Sequence, residues 1–500
     1  MASEQCPTVD NASVKRRARA ACDACRARKV KCTYDDSQVS CQACRDLNVN
    51  CTQDRPRKRR GPTSRYFEDE QRRKQQQELP LCSPIVLWHP PEQLHGRQGL
   101  EKLAPLFVIQ QVVNDWFDLV HPVAPILHRE SFIQQLNDAS DQHHQDFICL
   151  VVSICAATVT TLRRRAAEYA AMVTVEKCYQ IICNADRVRD PNLPISLSQC
   201  QTKYNVAVAL GAHNGMDHAQ SQIMIAEVTA MVGRLVHYDM QNLVLCDREL
   251  VKRLFWLCFA GQCTLGLHGR PYVMPINAFA DIEPLRPRNL NDKELCDIPS
   301  SDETWHGHSR SYVPGLNALI DLFMLWYRSQ QGHTSNLTHL QGYLDQVLSS
   351  LDQIPPELRW RGGLSKPPKS NFGTDVQMVN LYITQIHIRS FLLDQMASAV
   401  QSSQNATAIS EINNSRQNLI NDMLAIVYQM PEDTLEANGN SLISKLRDIG
   451  LALLNGSSSE IAFVNLDRLL AKLDRLDVRP GTQVDSISPM TTFTSPGFPS

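Results

Sequence analysis

Cys22-Asp23-Ala24-Cys25-Arg26-Ala27-Arg28-Lys29-Val30-Lys31-Cys32 and, after the loop Thr33–Ser40, Cys41-Gln42-Ala43-Cys44-Arg45-Asp46-Leu47-Asn48-Val49-Asn50-Cys51 decide how this chain is read. Both halves have the form Cys-x2-Cys-x6-Cys. Thiolates are soft ligands suited to zinc, and a Cys-x2-Cys pair lets two sulfurs bind one ion across a tight turn. Two tetrahedral zinc ions need eight ligand positions, and six cysteines fill eight only if two thiolates bridge both metals. The first histidine is His89, so no imidazole lies nearby to complete two independent sites.

The halves differ in charge. Arg26, Arg28, Lys29 and Lys31 crowd the first, whereas Arg45 is the one cation between Cys44 and Cys51. Only the first half is therefore shaped to meet a polyanion. Arg and Lys at the edge of a short helix reach guanine O6 and N7 in the major groove, while others neutralise phosphates.

The stretch Ala21 to Cys32, with all six cysteine positions, resembles the fungal zinc binuclear cluster transcription factors, whose Zn2Cys6 module reads a CGG triplet in double-stranded DNA. The resemblance implies that Cys22 and Cys41 bridge two zinc ions, with Cys25, Cys32, Cys44 and Cys51 as the remaining ligands. It implies base contacts for Lys29 and Arg28 and places Arg26 and Lys31 nearer the phosphates. The loop Thr33–Ser40 departs from the family in lacking the proline that commonly shapes it. Two other readings compete. A secreted disulfide framework is opposed by the absence of an apolar signal core in Met1–Ala20 and by the length of 500 residues. A zinc-stapled protein-interaction cofactor, recruited to chromatin without reading DNA, is opposed by the asymmetric basic segment.

The net charge of −2 hides a strong asymmetry: Lys15 to Arg60 carries +9, leaving −11 on the remainder. Lys15, Arg16, Arg17 and Arg19 precede the cluster and Arg57, Lys58, Arg59 and Arg60 follow it. Both runs are candidates for nuclear import and for phosphate contact. Residues 1–14 are polar and expected to be disordered, with 15–60 forming the DNA-binding domain and 61–105 a linker. Glu68–Glu78 offers no apolar position, so a zipper is not expected there. Dimerisation, if the protein dimerises, falls to the large domain.

From Leu106 the periodicity turns helical, with Leu106, Ile109, Val113, Trp116, Phe117 and Val120 on one stripe up to His121-Pro122. The run Phe147–Thr160 is shorter than the ~20 residues that span a bilayer and reads as a buried helix; no membrane anchor is expected. Leu466, Leu469, Leu470, Leu473 and Leu476 mark a late amphipathic helix, ended by Pro480. No strand alternation interrupts these runs, so residues 106–479 are expected to form a large all-α domain. Eleven further cysteines, among them Cys149, Cys155, Cys258 and Cys263, sit mostly in apolar runs and read as reduced core thiols. Residues 480–500 hold 12 Ser, Thr or Pro residues and read as a disordered tail.

Trp116–Arg129 is similar to the start of the fungal transcription factor regulatory domain, the middle homology region. Arg248–Trp256 leading to Gly269-Arg270-Pro271, then Ile354–Leu358 and Leu381–Ile386, follow in that domain's order and extend the likeness to about residue 395. It implies a small-molecule effector, for which Trp116, Phe117, Phe255 and Trp256 are candidate pocket walls. Nucleotide-binding glycine motifs and the Gly-x-Ser-x-Gly elbow are absent, and His121, His128, His143 and His144 lack metal-site context, so no enzyme is expected. Arg253 and Arg270 read as core-holding cations. The expected protein is a nuclear RNA polymerase II transcription factor working with the transcription machinery. It would activate a secondary-metabolite gene cluster or, failing that, a nutrient-utilisation pathway.

Overall fold

The computed structural model describes residues 16–17, 21–34, 39–54, 96–138, 145–169, 172–190, 192–279, 281–295, 311–332, 336–362, 370–401, 406–456 and 460–477. Lys15, Arg19, Arg57, Lys58, Arg59 and Arg60, the segment Glu68–Glu78, the linker prolines Pro80, Pro84, Pro90 and Pro91, His143, His144 and the tail all lie outside these residues. The chain divides into two compact units, Met1–His89 and Pro90–Ser500.

In the first unit two short helices, α1 (Asp23–Arg28) and α2 (Gln42–Asp46), follow Cys22 and Cys41. The two half-sites close in the same way. Lys29 and Asn48 both take a left-handed backbone, at φ 58° and 50°. Val30 N–H returns to Cys25 O at 3.1 Å, and Val49 N–H to Cys44 O at 3.0 Å. Each helix is thus closed by the same tight cap, which turns the chain back toward the third cysteine. Strand β1 (Arg16–Arg17) pairs antiparallel with β2 (Thr33–Tyr34), Arg16 opposite Tyr34. The sequence had offered a charge run there, so the pairing was not foreseen. Its backbone partner is the chain just past Cys32.

The second unit is helical throughout its described residues. It begins with α3 (Gly96–Glu101) and α4 (Leu106–Asp115). Leu100, Leu103 and Ala104 already join the core, so packing starts ahead of Leu106. Helix α4 does not simply stop before Pro122: it widens into a π turn, Trp116–Val120, closed by His121 N–H to Trp116 O at 2.8 Å. There follow α5 (Arg129–Asn137), α6 (Gln145–Thr161), α7 (Val175–Val188), α8 (Leu197–Asn214), α9 (Ala219–Arg234) and α10 (Leu245–Leu267). Helix α6 is buried from Phe147 to Thr160 and packs against α8, which packs in turn against α9.

After the short α11 (Asp292–Leu295) come α12 (Val313–Ser329), α13 (Leu337–Ser349), α14 (Phe372–Gln401) and α15 (Ala406–Gln429). The unit closes with α16 (Glu432–Glu436), α17 (Gly439–Gly456) and α18 (Glu460–Leu476). The long α14 is the spine of this half, in contact with α12, α13, α15 and α17. Gly439 starts α17 at φ 59°, and a Cβ there would come within 3.2 Å of Thr161 at the end of α6. Glycine therefore meets both a backbone and a space requirement. On α18, Leu469, Leu473 and Leu476 are buried as expected, but Leu470 is 48% exposed.

Cys149, Cys155, Cys258 and Cys263 are buried and unpaired. His121 gives Nε2 to Leu127 O at 3.1 Å, and His128 caps α5 through Nδ1 to Ser131 N–H. Arg253, almost fully buried, donates to the carbonyls of Pro125 and Leu290. Arg270 instead forms a surface fork on Asp217 at 2.5 and 2.8 Å. No described helix is long and apolar enough to cross a membrane.

Candidate metal centre and nucleic-acid interface

Five of the six cluster cysteines are buried, and Cys51 is half-buried. The sulfurs of Cys22, Cys25, Cys41 and Cys44 all lie within 4.8 Å of one another. Their nearest separations are Cys22–Cys41 at 3.7 Å, Cys22–Cys44 at 3.5 Å and Cys25–Cys41 at 3.5 Å. A tetrahedron of sulfurs about 2.3 Å from a zinc ion has edges of about 3.8 Å, whereas a disulfide would bring two sulfurs to about 2.05 Å. The spacing fits metal coordination and excludes disulfides. The three close pairs are also informative as a set. Cys22 reaches the second half through Cys44, Cys41 reaches the first through Cys25, and Cys22–Cys41 is common to both. Together with the count of six cysteines, these separations are consistent with a binuclear zinc site.

The local electrostatics single out the same two residues. Burial and neighbouring sulfurs push the Cys25, Cys32 and Cys44 thiols up, Cys44 to about 12. Burial would raise Cys22 and Cys41 as well, but the Cys25 N–H, which donates to Cys22 Sγ at 3.4 Å, the Cys44 amide beside Cys41 and the neighbouring cysteine sulfurs bring both below the usual thiol range. Of the five buried cluster sulfurs, those of Cys22 and Cys41 are the two shifted toward the thiolate. Arg28 adds a cation: its Nη2 lies 3.8 Å from Cys44 Sγ, and its Nε donates to Ala24 O at 3.1 Å. Six thiolates and two divalent zinc ions leave a net charge of −2, which a guanidinium at the cluster's edge offsets.

Arg26, Arg28, Lys29 and Lys31 are all exposed. Helix α1 ends at Arg28, so the basic residues do not share one helix: Lys29 forms its left-handed cap and Lys31 lies in the turn beyond. Arg26 and Arg28 sit in the last turn. The arrangement presents four cations on a short helix and the loop that closes it, held rigid by the cysteines on either side.

Sequence reasoning missed three supporting groups. Asp23 Oδ2 accepts from Asp54 N–H at 2.7 Å and Thr52 Oγ1 at 3.2 Å, tying the chain after Cys51 to the start of α1. Asp23 N–H in turn donates to Thr52 O at 2.8 Å. Tyr34 places its hydroxyl 3.3 Å from Cys51 Sγ, which raises the phenol's pKa. Acidic and hydroxyl side chains flanking the first and last cysteines were the available signal.

Residues 20–60 match the family model of the fungal Zn(2)-Cys(6) binuclear cluster domain. No curated protein and no solved structure matches the chain. A domain of this family implies a zinc-dependent, DNA-binding transcription factor.

Proposed function

We propose that this chain is a nuclear, sequence-specific regulator of RNA polymerase II transcription. Its N-terminal unit reads a CGG-type triplet in the major groove of double-stranded DNA. The observation that carries the reading is the conjunction of a close cluster of cysteine sulfurs with four exposed cations fixed to one of its halves. Cys22, Cys25, Cys32 and Cys41 would hold one zinc ion, and Cys41, Cys44, Cys51 and Cys22 the other. Zinc folds a segment with too few apolar residues to fold alone.

Lys29, displayed at the helix cap, reads a base. Arg26 and Lys31 contact phosphates, with Arg57, Lys58, Arg59 and Arg60 extending that contact and, with Lys15, Arg16, Arg17 and Arg19, serving nuclear import. Arg28 joins Lys29 at the base edges in the family's pattern, although its guanidinium here is turned toward Cys44. The helical unit is the regulatory, middle-homology part of the factor. It is the seat of a small-molecule effector, of dimerisation if the protein dimerises, and of contact with the transcription machinery. Activation of a secondary-metabolite gene set, or of a nutrient-utilisation pathway, is the physiological role we assign.

The ligand assignment is tested by zinc content. Cys22→Ala or Cys41→Ala removes a ligand from both ions and should drop bound zinc from two per chain to near zero, abolishing DNA binding. Full zinc content and DNA binding in either variant would refute the shared edge.

A further inference from the structure

The helical unit holds a half-open pocket with a cavity volume of about 260 Å³. This is a little below the ~300–1,000 Å³ of drug-sized ligand sites. Its walls are apolar: Trp116 of the π turn, Tyr204 of α8, Leu257 of α10 and Phe323 of α12 contribute to them. Interrupting an α-helix with a π turn sacrifices regular hydrogen bonding and occurs frequently at functional sites. Here the turn supplies both Trp116 and Val120 to the lining.

Two polar groups in the lining are poorly provided for. Lys445 of α17 is 2% exposed. Its Nζ donates to Thr384 Oγ1 at 2.8 Å and to Asn380 Oδ1 at 3.1 Å, both neutral oxygens. The carboxylate one turn further along α17, Asp448, is occupied by His268 Nδ1 and by His387 Nε2, the latter at 3.3 Å. The second group is Asn438, which donates from Nδ2 to Val376 O and Thr434 O but leaves its buried Oδ1 without a hydrogen-bond partner. A buried ammonium without a counter-ion and a buried acceptor without a donor each cost stability. Both residues line one mainly apolar pocket.

We propose that this cavity binds a small, largely apolar organic acid, its carboxylate held by Lys445. The chamber's volume suits a compact acid of roughly a dozen heavy atoms rather than a long-chain lipid. Burial holds the Lys445 amine down to about 7, and an arriving carboxylate restores the proton and supplies the missing counter-charge. As a regulatory input the inference rests on the effector role proposed above. The binding itself does not depend on DNA.

The test uses zinc-loaded full-length protein titrated with octanoate and with 3-phenylpropionate, each against its primary amide. Binding is read by Trp fluorescence and calorimetry. At least one acid should bind saturably, at least tenfold more tightly than its amide, and Lys445→Met should weaken it tenfold or more while the melting temperature stays at or above that of the parent. Equal binding of acid by Lys445→Met, or no binding of either acid up to about 10 mM, would overturn the proposal. Binding of a CGG duplex, measured on the same preparation, reports separately on the transcription-factor reading: its loss would sink that reading and leave the acid result standing.

Discussion

Two lysines sit where the fold would favour another residue. Lys29 adopts a left-handed backbone that costs a residue with a Cβ about 1–2 kcal/mol. The other half of the cluster places Asn48, a residue that tolerates this conformation, at the matching position. Keeping lysine there sacrifices some stability for a displayed cation. Lys29→Asn should therefore preserve zinc stoichiometry and slightly stabilise the module, while costing roughly 1–3 kcal/mol of affinity for the preferred duplex and relaxing specificity at one base. Unchanged discrimination in a competition assay would remove Lys29 from the reading head.

Lys445 is the second. Burial depresses its pKa to about 7, below its value of about 10.4 in an unfolded chain. The folded protein thus binds this proton less readily, and stability due to the neutral amine is lost as pH falls through that window toward 7. Lys445→Met removes the titration. Its melting temperature should exceed the parent's by roughly 3–8 °C at pH 7, with the gap narrowing toward pH 10. A gap independent of pH would show that the amine is not what the fold tolerates there.

At the scale of elements, what was legible followed local chemistry. The six cysteines, their spacing and the stripe Ile109, Val113, Trp116 and Phe117 are statements about neighbouring residues, and the structure places them accordingly. Phe147–Thr160 reads as a buried helix because it is apolar all round, and α6 is that helix. Ile154 on it is fully buried, so Ile154→Ala should cost about 2–5 kcal/mol in chemical denaturation of the helical unit and leave zinc content unchanged. Loss of zinc in that variant would contradict independent folding of the two units.

Features set by tertiary partners were not legible. The π turn exists because residues 116–120 pack on several helices at once, and nothing in Trp116-Phe117-Asp118-Leu119-Val120 alone announces it. The strand Arg16–Arg17 depends on pairing with Thr33–Tyr34 across the cluster. Leu470 fits the helical stripe of α18 yet is exposed, because α18 turns buried Asn465 and Lys472 inward as well. Of the four aromatic residues expected to wall a pocket, only Trp116 lines the chamber with Lys445. Phe117 borders a different cavity beside His121 and Arg253. Phe255 and Trp256 are packed into the core, where Trp256 Nε1 donates to Leu285 O at 2.8 Å.

For the whole molecule, the division of labour follows the division of charge. A basic end of +9 precedes a remainder of −11, and the cysteine cluster lies in the basic end. Binding that neutralises several phosphates should weaken steeply with salt, log K falling by about 0.9 per contact for each decade of salt. The helical unit has its own core and its own cavity, where the proposed effector would bind, and the Zn2Cys6 domain of the small unit implies DNA binding. The central claim is that the zinc-loaded N-terminal unit reads sequence. The most direct measurement is selection of duplexes from a random pool by the zinc-loaded protein at low salt, alongside a chelator-treated control. The account predicts enrichment of CGG-containing sites with zinc and none without it, one triplet marking a monomer on DNA and two at fixed spacing a dimer. Absence of enrichment in the zinc-loaded sample would contradict it and favour a zinc-stapled protein-interaction role.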